Sequence, residues 1–441
     1  MSKISSWPSG LKWAVVADMA SIIFLRFTWG GSVFVLFLDA LGLPRDRIGA
    51  VLALIPFAGL VAPLIGQKVA QVGPKRVYVT FWGLRHLVFA TLILTPTLLA
   101  RYGARSAFGF IAGVIAVFGL CRAIAETGYY PWSQQFIPPA IRGRFTAISS
   151  FAATWTGIGA VAVASYVLRQ GQGLGRFLWL IGVGSAVGLL SAVCYIFIPG
   201  GEPLADGAGA PSAKAGLREV FHDGNFLRGL LGFGLLLIGF DYPLTFVPLY
   251  LKQEIGLLPD TVVRLDMAIL LGSLLGGIPW GWLADRKGSK TALGVVLPIM
   301  VSLPLVYLLL PRHSPWSAPL AAILAAVVGA TTVGWSISQL RLFLVDLVPL
   351  AKRTSYLAIY YAWIGLAGGV GWFLTGTIVE RSRQLLDVLE IVPDPFTPLW
   401  VWAAGLSLLG ALILRGVRPV AHAAPPAPAP IMTGELESVQ Q

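Results

Sequence analysis

The sequence predicts an all-α membrane protein of twelve transmembrane helices, arranged as two pseudo-symmetric six-helix bundles. Three observations carry this. Of 441 residues, 56% are hydrophobic and only 12% charged, where a soluble domain is nearer a quarter charged. The apolar residues fall into twelve runs, each about long enough to cross a bilayer as a helix. The loops between the runs repeat a pattern from the first half of the chain in the second.

The runs are approximately 13–38, 47–66, 77–100, 106–131, 145–168, 176–198, 226–251, 264–283, 291–311, 318–341, 355–379 and 397–415. With both termini on one side, that side collects most of the loop cations, among them Lys12, Lys68, Lys75, Arg76, Arg142, Arg144, Arg286, Lys287, Lys290 and Arg415. The excess predicts cytoplasmic termini in the cell membrane. The net charge of +12 is spread singly between apolar runs, which fits membrane topology and not a nucleic-acid-binding face. Cys121 and Cys194 lie inside apolar runs and read as small packing residues. The first run is too long for a cleavable signal and lacks a small-residue cleavage site.

Residues 1–198 form the expected N-terminal six-helix bundle and 226–415 the C-terminal one. Between them, 199–225 opens with Pro199-Gly200-Gly201 and reads as a flexible cytoplasmic linker. Within it, Leu217 to His222 is expected as a short amphipathic helix on the membrane surface. Residues 416–441, rich in Ala and Pro, are expected as a disordered tail.

The strongest local pattern is Gly281-Trp282-Leu283-Ala284-Asp285-Arg286-Lys287-Gly288-Ser289-Lys290, a tight basic link between runs eight and nine. It resembles the loop signature of the major facilitator superfamily, G-x-L-A-D-R-x-G-R-K. The match is at Gly281, Leu283, Ala284, Asp285, Arg286, Gly288 and Lys290, with Ser289 in place of a basic residue. Gly281 and Gly288 let helix ends approach and turn, and Asp285 can meet a helix N-terminus or a basic partner. A weaker copy holds the same place in the first half, where Gly66, Gly73 and Lys75 match but Ala70 and Gln71 replace Asp and Arg. Pro138, Arg142 and Ala147-Ile148 likewise line up with Pro349, Arg353 and Ala358-Ile359. Duplicated halves about an axis along the membrane normal are the arrangement of that superfamily.

The resemblance implies that spans 1, 4, 7 and 10 line a central cavity and that spans 3, 6, 9 and 12 lie outside. An ionisable group inside a span costs about 2.5–3.5 kcal/mol on insertion scales, so each needs a reason. Arg26, Arg122, Glu126 and Asp241 fall on cavity-lining spans. Arg26 has no acid within helical reach and is expected to bind an anionic substrate group, since a guanidinium fork suits a carboxylate or phosphate. Arg122 supports it, and Tyr242 and Tyr360 are further substrate-binding candidates. Glu126, at i+4 from Arg122, and Asp241 are the candidate proton carriers, because low dielectric favours the neutral carboxyl. Asp285, Arg286, Gly281 and Gly288 are the gating set. Arg85 and His86, on an outer span, are expected to be structural, with Arg85 reaching the cytoplasmic interface or pairing with Asp18. Arg122 and Gly128 loosely resemble a span-four signature of the superfamily. The Gly-Pro pair of its antiporter signature is missing from run five, which has Gly157 and Gly159 but no proline.

The function expected is secondary active transport of a small polar solute, an organic anion first, by proton-coupled alternating access. A uniporter or exporter of a neutral metabolite such as a sugar is the second reading, and a non-transporting receptor the third. No enzyme constellation is present: the sequence has no His-Glu-x-x-His, no phosphate-binding Gly-rich loop and no nucleotide-binding segment. No cofactor or metal is expected, and the partners are the solute, protons and the bilayer around a monomer.

Overall fold

Glycine decides where the helices stop. Gly73 and Gly288 hold the same place in the two halves, and both adopt positive φ, 106° and 82°, the left-handed region that glycine occupies without penalty. Each caps the helix before it, accepting no side chain and donating its own N–H four residues back, to Val69 and Ala284. The structure is a computed structural model, and it describes residues 9–171, 173–203, 220–348, 353–389 and 394–418. Those residues are helical apart from short connections, with no strand among them.

Length and apolarity alone identify ten stretches able to cross a membrane, and a bent pair of helices brings the number to eleven. One stretch, Pro74–Phe136, runs 63 residues, about three times what a bilayer needs. It is broken at Gly103, with φ 78° and ψ 176°, so its arms serve as spans three and four. Counting the two arms separately and the bent pair as one span divides the described residues into twelve segments. Spans one to twelve are then Gly10–Ala40, the bent pair Arg45–Val61 and Leu64–Val72, the two arms of Pro74–Phe136, Pro139–Arg169, Gly175–Ile196, Gly224–Gln253, Pro259–Lys287, Ser289–Tyr307, Ser317–Leu344, Tyr356–Asp387 and Thr397–Arg415.

Three of these depart from simple rods. Span two bends by 67° at the break after Val61, where Pro63, which has no N–H to donate, stands at the start of the next helix. Span seven carries a π-helical turn at Leu237–Asp241, directly before Pro243; the wider turn absorbs the donor that proline removes. Span one is interrupted at Thr28 to Gly31, where the Thr28 hydroxyl donates to the Phe24 carbonyl at 2.5 Å. Asp223 caps span seven by accepting from the N–H groups of Asn225 and Phe226 at 3.1 and 3.0 Å. Residues 220–222, the end of the expected surface helix, are helical; the rest of that segment and the tail from 419 lie outside the described residues.

The halves meet through spans two and eleven and through spans five and eight. At the first contact Gly49 and Gly376 face each other, and a Cβ on either would run into the opposite backbone. Small residues allow such approach where no hydrophobic drive exists between helices in lipid. Among the described residues, every hydrogen bond between the halves lies at or toward the end away from the Gly288 loop. Asp39 accepts from Lys252 Nζ at 2.7 Å and from Gln253 Nε2 at 2.8 Å. Arg45 donates to Gln253 Oε1 at 2.8 Å and, through its backbone, to Glu380 at 3.1 Å. Ser165 donates to the Asp260 carbonyl at 2.9 Å. Among the described residues, the halves are latched at that end, and no hydrogen bond joins them at the end that carries the Gly288 loop.

Candidate functional site

Two cavities follow the axis between the halves, one above the other, and Trp29 lines both. The lower cavity, about 460 Å³, belongs to the first half and opens toward the loop end. Spans one, three, four, five and six supply its walls. Arg122 donates through Nε to Glu126 Oε1 at 2.7 Å, as the i, i+4 spacing predicts. Its guanidinium carbon also lies 4.6 Å from the centroid of the Trp29 ring, a cation–π distance. Glu126 remains 41% exposed, so it is bonded on one side and open on the other.

Asp18 does not pair with a cation. It accepts from the Ser149 hydroxyl at 2.5 Å and the Tyr195 hydroxyl at 2.8 Å, partners on spans five and six that only the fold brings together. This corrects one expectation for Arg85. Arg85 neither reaches the interface nor pairs with Asp18: it is 3% exposed and its guanidinium carbon lies over Trp82, 3.1 Å from the ring centroid. Its Nε has no hydrogen-bond partner, and the residue lines the same cavity as Arg122. His86 is fully buried edge-on to Phe24 at 4.2 Å, consistent with its expected packing role. Tyr78, Tyr129 and Tyr195 pack around this floor with centroid separations of 4.8–6.4 Å.

The upper cavity, about 330 Å³, lies between the halves. Arg26 and Asp241 both line it, as their spans predict, and so does Asp266 of span eight, which sequence reasoning passed over. Asp266 accepts from the Ser32 backbone N–H at 3.0 Å and the Ser32 hydroxyl at 2.7 Å. Arg26 donates to the Gly30 carbonyl at 3.1 Å. A Cβ placed on Gly31 would come within 2.8 Å of Asp266 Oδ2 and 3.9 Å of Arg26 Nη1, so the two charges flank that glycine. Arg26 is therefore not alone: an acid from the other half stands beside it. Asp241, at the end of the π-turn, has no hydrogen-bond partner among the described residues and faces the cavity.

The two tyrosines expected at the site stand apart from both cavities. Tyr242 packs edge-on against Trp372 at 5.0 Å and against the backbone of Gly368 and Gly371 on span eleven. Tyr360 is 6% exposed; its hydroxyl accepts from Gln339 at 2.7 Å and its ring stacks on Phe343 at 3.9 Å. Its neighbour Tyr361 is the exposed one, at 56%.

At the loop end, Asp285 accepts from Arg341 Nη1 at 2.6 Å. The pair ties the span eight–nine loop to the loop-side end of span ten, within one half. Arg286 is exposed and lies 5.4 Å from the Trp282 ring centroid. Gly281 faces open space, and Gly288 makes the turn. No group of His, Cys, Asp and Glu able to hold a metal occurs among the described residues.

The fold is similar to that of several solved transporters. The nucleoside transporter NupG superposes with a TM-score of 0.68 at 16% identity, covering 92% of this chain and 99% of that one. A D-xylose–proton symporter gives 0.68 at 17% identity over 93% and 98%. A bacterial homologue of the iron transporter ferroportin, in its inward-facing state, gives 0.66 at 16% identity over 92% and 98%. No curated protein matches the sequence. The sequence model of the Major Facilitator Superfamily matches residues 19–372. Four-fifths of the chain lies within that match, and the chain belongs to the major facilitator superfamily of membrane transporters.

Proposed function

We propose that this transporter carries a small organic anion, coupled to protons, and that the solute first meets the protein in the lower cavity. The observation that supports this reading is the position of Arg122 between the Glu126 carboxylate and the Trp29 ring. While Glu126 is ionised, the pair is neutral and offers an incoming anion little. A proton on Glu126 removes the competing charge and leaves Arg122 for a carboxylate or phosphate, with Arg85 as a second cation in the same walls. Solute and proton are then linked by charge balance alone.

Arg26 and Asp241 lie beyond Trp29 in the upper cavity and would form a second station, reached when the halves rock. Asp241, unpartnered, is the second proton carrier in this reading. Tyr360 has no part in it, because its hydroxyl is already satisfied in the core.

The test is uptake by proteoliposomes holding the purified protein, with and without a pH gradient, over labelled mono- and dicarboxylates, phosphate esters and neutral sugars. Arg122→Gln should abolish uptake of the anion, and Glu126→Gln should leave binding intact while removing the dependence on the gradient. Robust uptake of a neutral sugar, unchanged in Arg122→Gln, would overturn the anion assignment.

A further inference from the structure

A third crevice, about 400 Å³, lies on the outer surface of the second half between spans nine and twelve, at the loop end. Its walls are apolar, with Leu297, Pro298, Leu408 and Leu412 among them, and its mouth carries two cations, Lys290 and Arg415. Leu408 and Leu412 are half exposed, as expected of a face turned to lipid. Gly294, which also lines the crevice, has nothing within 4 Å of where a side chain would begin. Neither Lys290 nor Arg415 is ion-paired among the described residues.

The repeat gives an internal comparison. Lys75 holds the place of Lys290 in the first half, and it lines the matching crevice between spans three and six. There the chain supplies its own cover. Residues 199–203 continue from span six across the mouth, and Gly201 accepts from the Lys75 backbone N–H at 3.4 Å. Glu202 brings a carboxylate to the same crevice. After span twelve the chain turns away instead: the Gly416 carbonyl accepts from Arg228 and the Arg418 carbonyl from Asn225, both at the start of span seven. One mouth has a polypeptide and an acid. Among the described residues, the other has two cations and no covering segment.

We propose that the crevice between spans nine and twelve binds an anionic phospholipid from the leaflet on the loop side. The phosphate lies between Lys290 and Arg415, and an acyl chain runs along the groove past Gly294 and Pro298. Basic pockets between transmembrane helices take anionic head groups in this way, and an apolar chain suits a groove that no side chain fills. Lys290 stands in the first turn of span nine and Arg415 in the last turn of span twelve, so a bound lipid would bridge the start of span nine and the end of span twelve.

The full-length protein, delipidated in neutral detergent, would be given phosphatidylglycerol or phosphatidylcholine in equal amounts, and the retained lipid counted by native mass spectrometry. Phosphatidylglycerol should be retained in preference, and Lys290→Gln with Arg415→Gln should lower that preference roughly ten- to thirty-fold. Gly294→Leu keeps both cations but fills the groove, and should lower retention of phosphatidylglycerol as well. Melting in detergent without lipid verifies that the variants are folded, and the comparison of the two lipids on the unaltered chain needs no variant. Equal retention of the two lipids by the unaltered chain would overturn the proposal, the mouth then being covered by another segment such as 419–441. So would a preference that survives the double substitution, or retention that Gly294→Leu leaves untouched.

Discussion

Asp266 on span eight holds Ser32 on span one by two hydrogen bonds, 3.0 Å to its backbone N–H and 2.7 Å to its hydroxyl. The residue is 8% exposed, and the bond crosses from one half of the carrier to the other in the wall of the upper cavity. Hydrogen bonds to a charged group each contribute about 1.5–3 kcal/mol, and this pair must break for the halves to part at that end. With Asp39, Lys252, Arg45, Gln253 and Glu380 further out, it forms a two-layer seal.

Weakening that seal should move the resting population. Asp266→Asn with Ser32→Ala is expected to shift the molecule toward the form open at the opposite end. Spin labels at Tyr102 and Leu258, both exposed and on different halves, would report longer distances, in a background where Cys121 and Cys194 are replaced. An unchanged distance distribution would show that the outer layer holds alone.

Closing the outer layer depends on backbone contact as well as charge. Gly49 and Gly376 touch across the halves, and a side chain on Gly376 would strike the Arg45 carbonyl. Gly376→Leu should therefore prop the same end open and slow transport severalfold or more, with binding retained from the exposed side. If transport proceeds at the parent rate, spans two and eleven separate more freely than their packing implies.

Much of this architecture was legible in the sequence because it is written in local pattern. The runs, the Gly288 turn and the Arg122–Glu126 pair depend on neighbours a few residues apart, and the structure keeps them. Gly73 and Gly288 share positive φ even though the acid and arginine of the first copy are gone, since the turn needs the glycine and not the charges. What was not legible is pairing between distant spans. Asp266 sits near the start of an apolar run and reads as a boundary residue; only its approach to Ser32, across 234 positions, reveals it as buried. Asp39 and Lys252 likewise read as unrelated loop charges. Tyr360 and Tyr361 are adjacent on a helix, and periodicity could not say which faces the core. Arg85 was judged by the span it sits on, while the guanidinium at its end reaches the cavity.

Topology has a direct test, and the structure selects its sites. Ser289 is 3% exposed and would label poorly, so Lys287 is the better cysteine position at the loop end, with Trp316, 68% exposed, at the other. In intact cells an impermeant maleimide should label Trp316→Cys and not Lys287→Cys. Labelling of both from outside would reverse or break the orientation drawn from the loop cations.

The Asp285–Arg341 pair makes the last prediction. At 2.6 Å the bond joins the span eight–nine loop to the end of span ten, and it is present with the halves latched at the opposite end. Asp285 is 75% exposed and Arg341 35%, so an ion pair there is worth little to stability, about 0–1 kcal/mol. Its value would lie in aiming. Holding Asp285 on span ten keeps the loop rigid, and when the loop end closes the same carboxylate can meet the first half, where Ala70 and Gln71 leave no equivalent charge to compete. Asp285→Asn and Arg341→Gln should then both leave melting within a few degrees of the parent and slow turnover by a similar factor. The double variant should be no slower than either single one, the signature of residues that act as a pair. Additive losses would mean that each works through a different partner. Loss of solute binding in a folded Asp285→Asn protein would place that residue in the site and not at the gate.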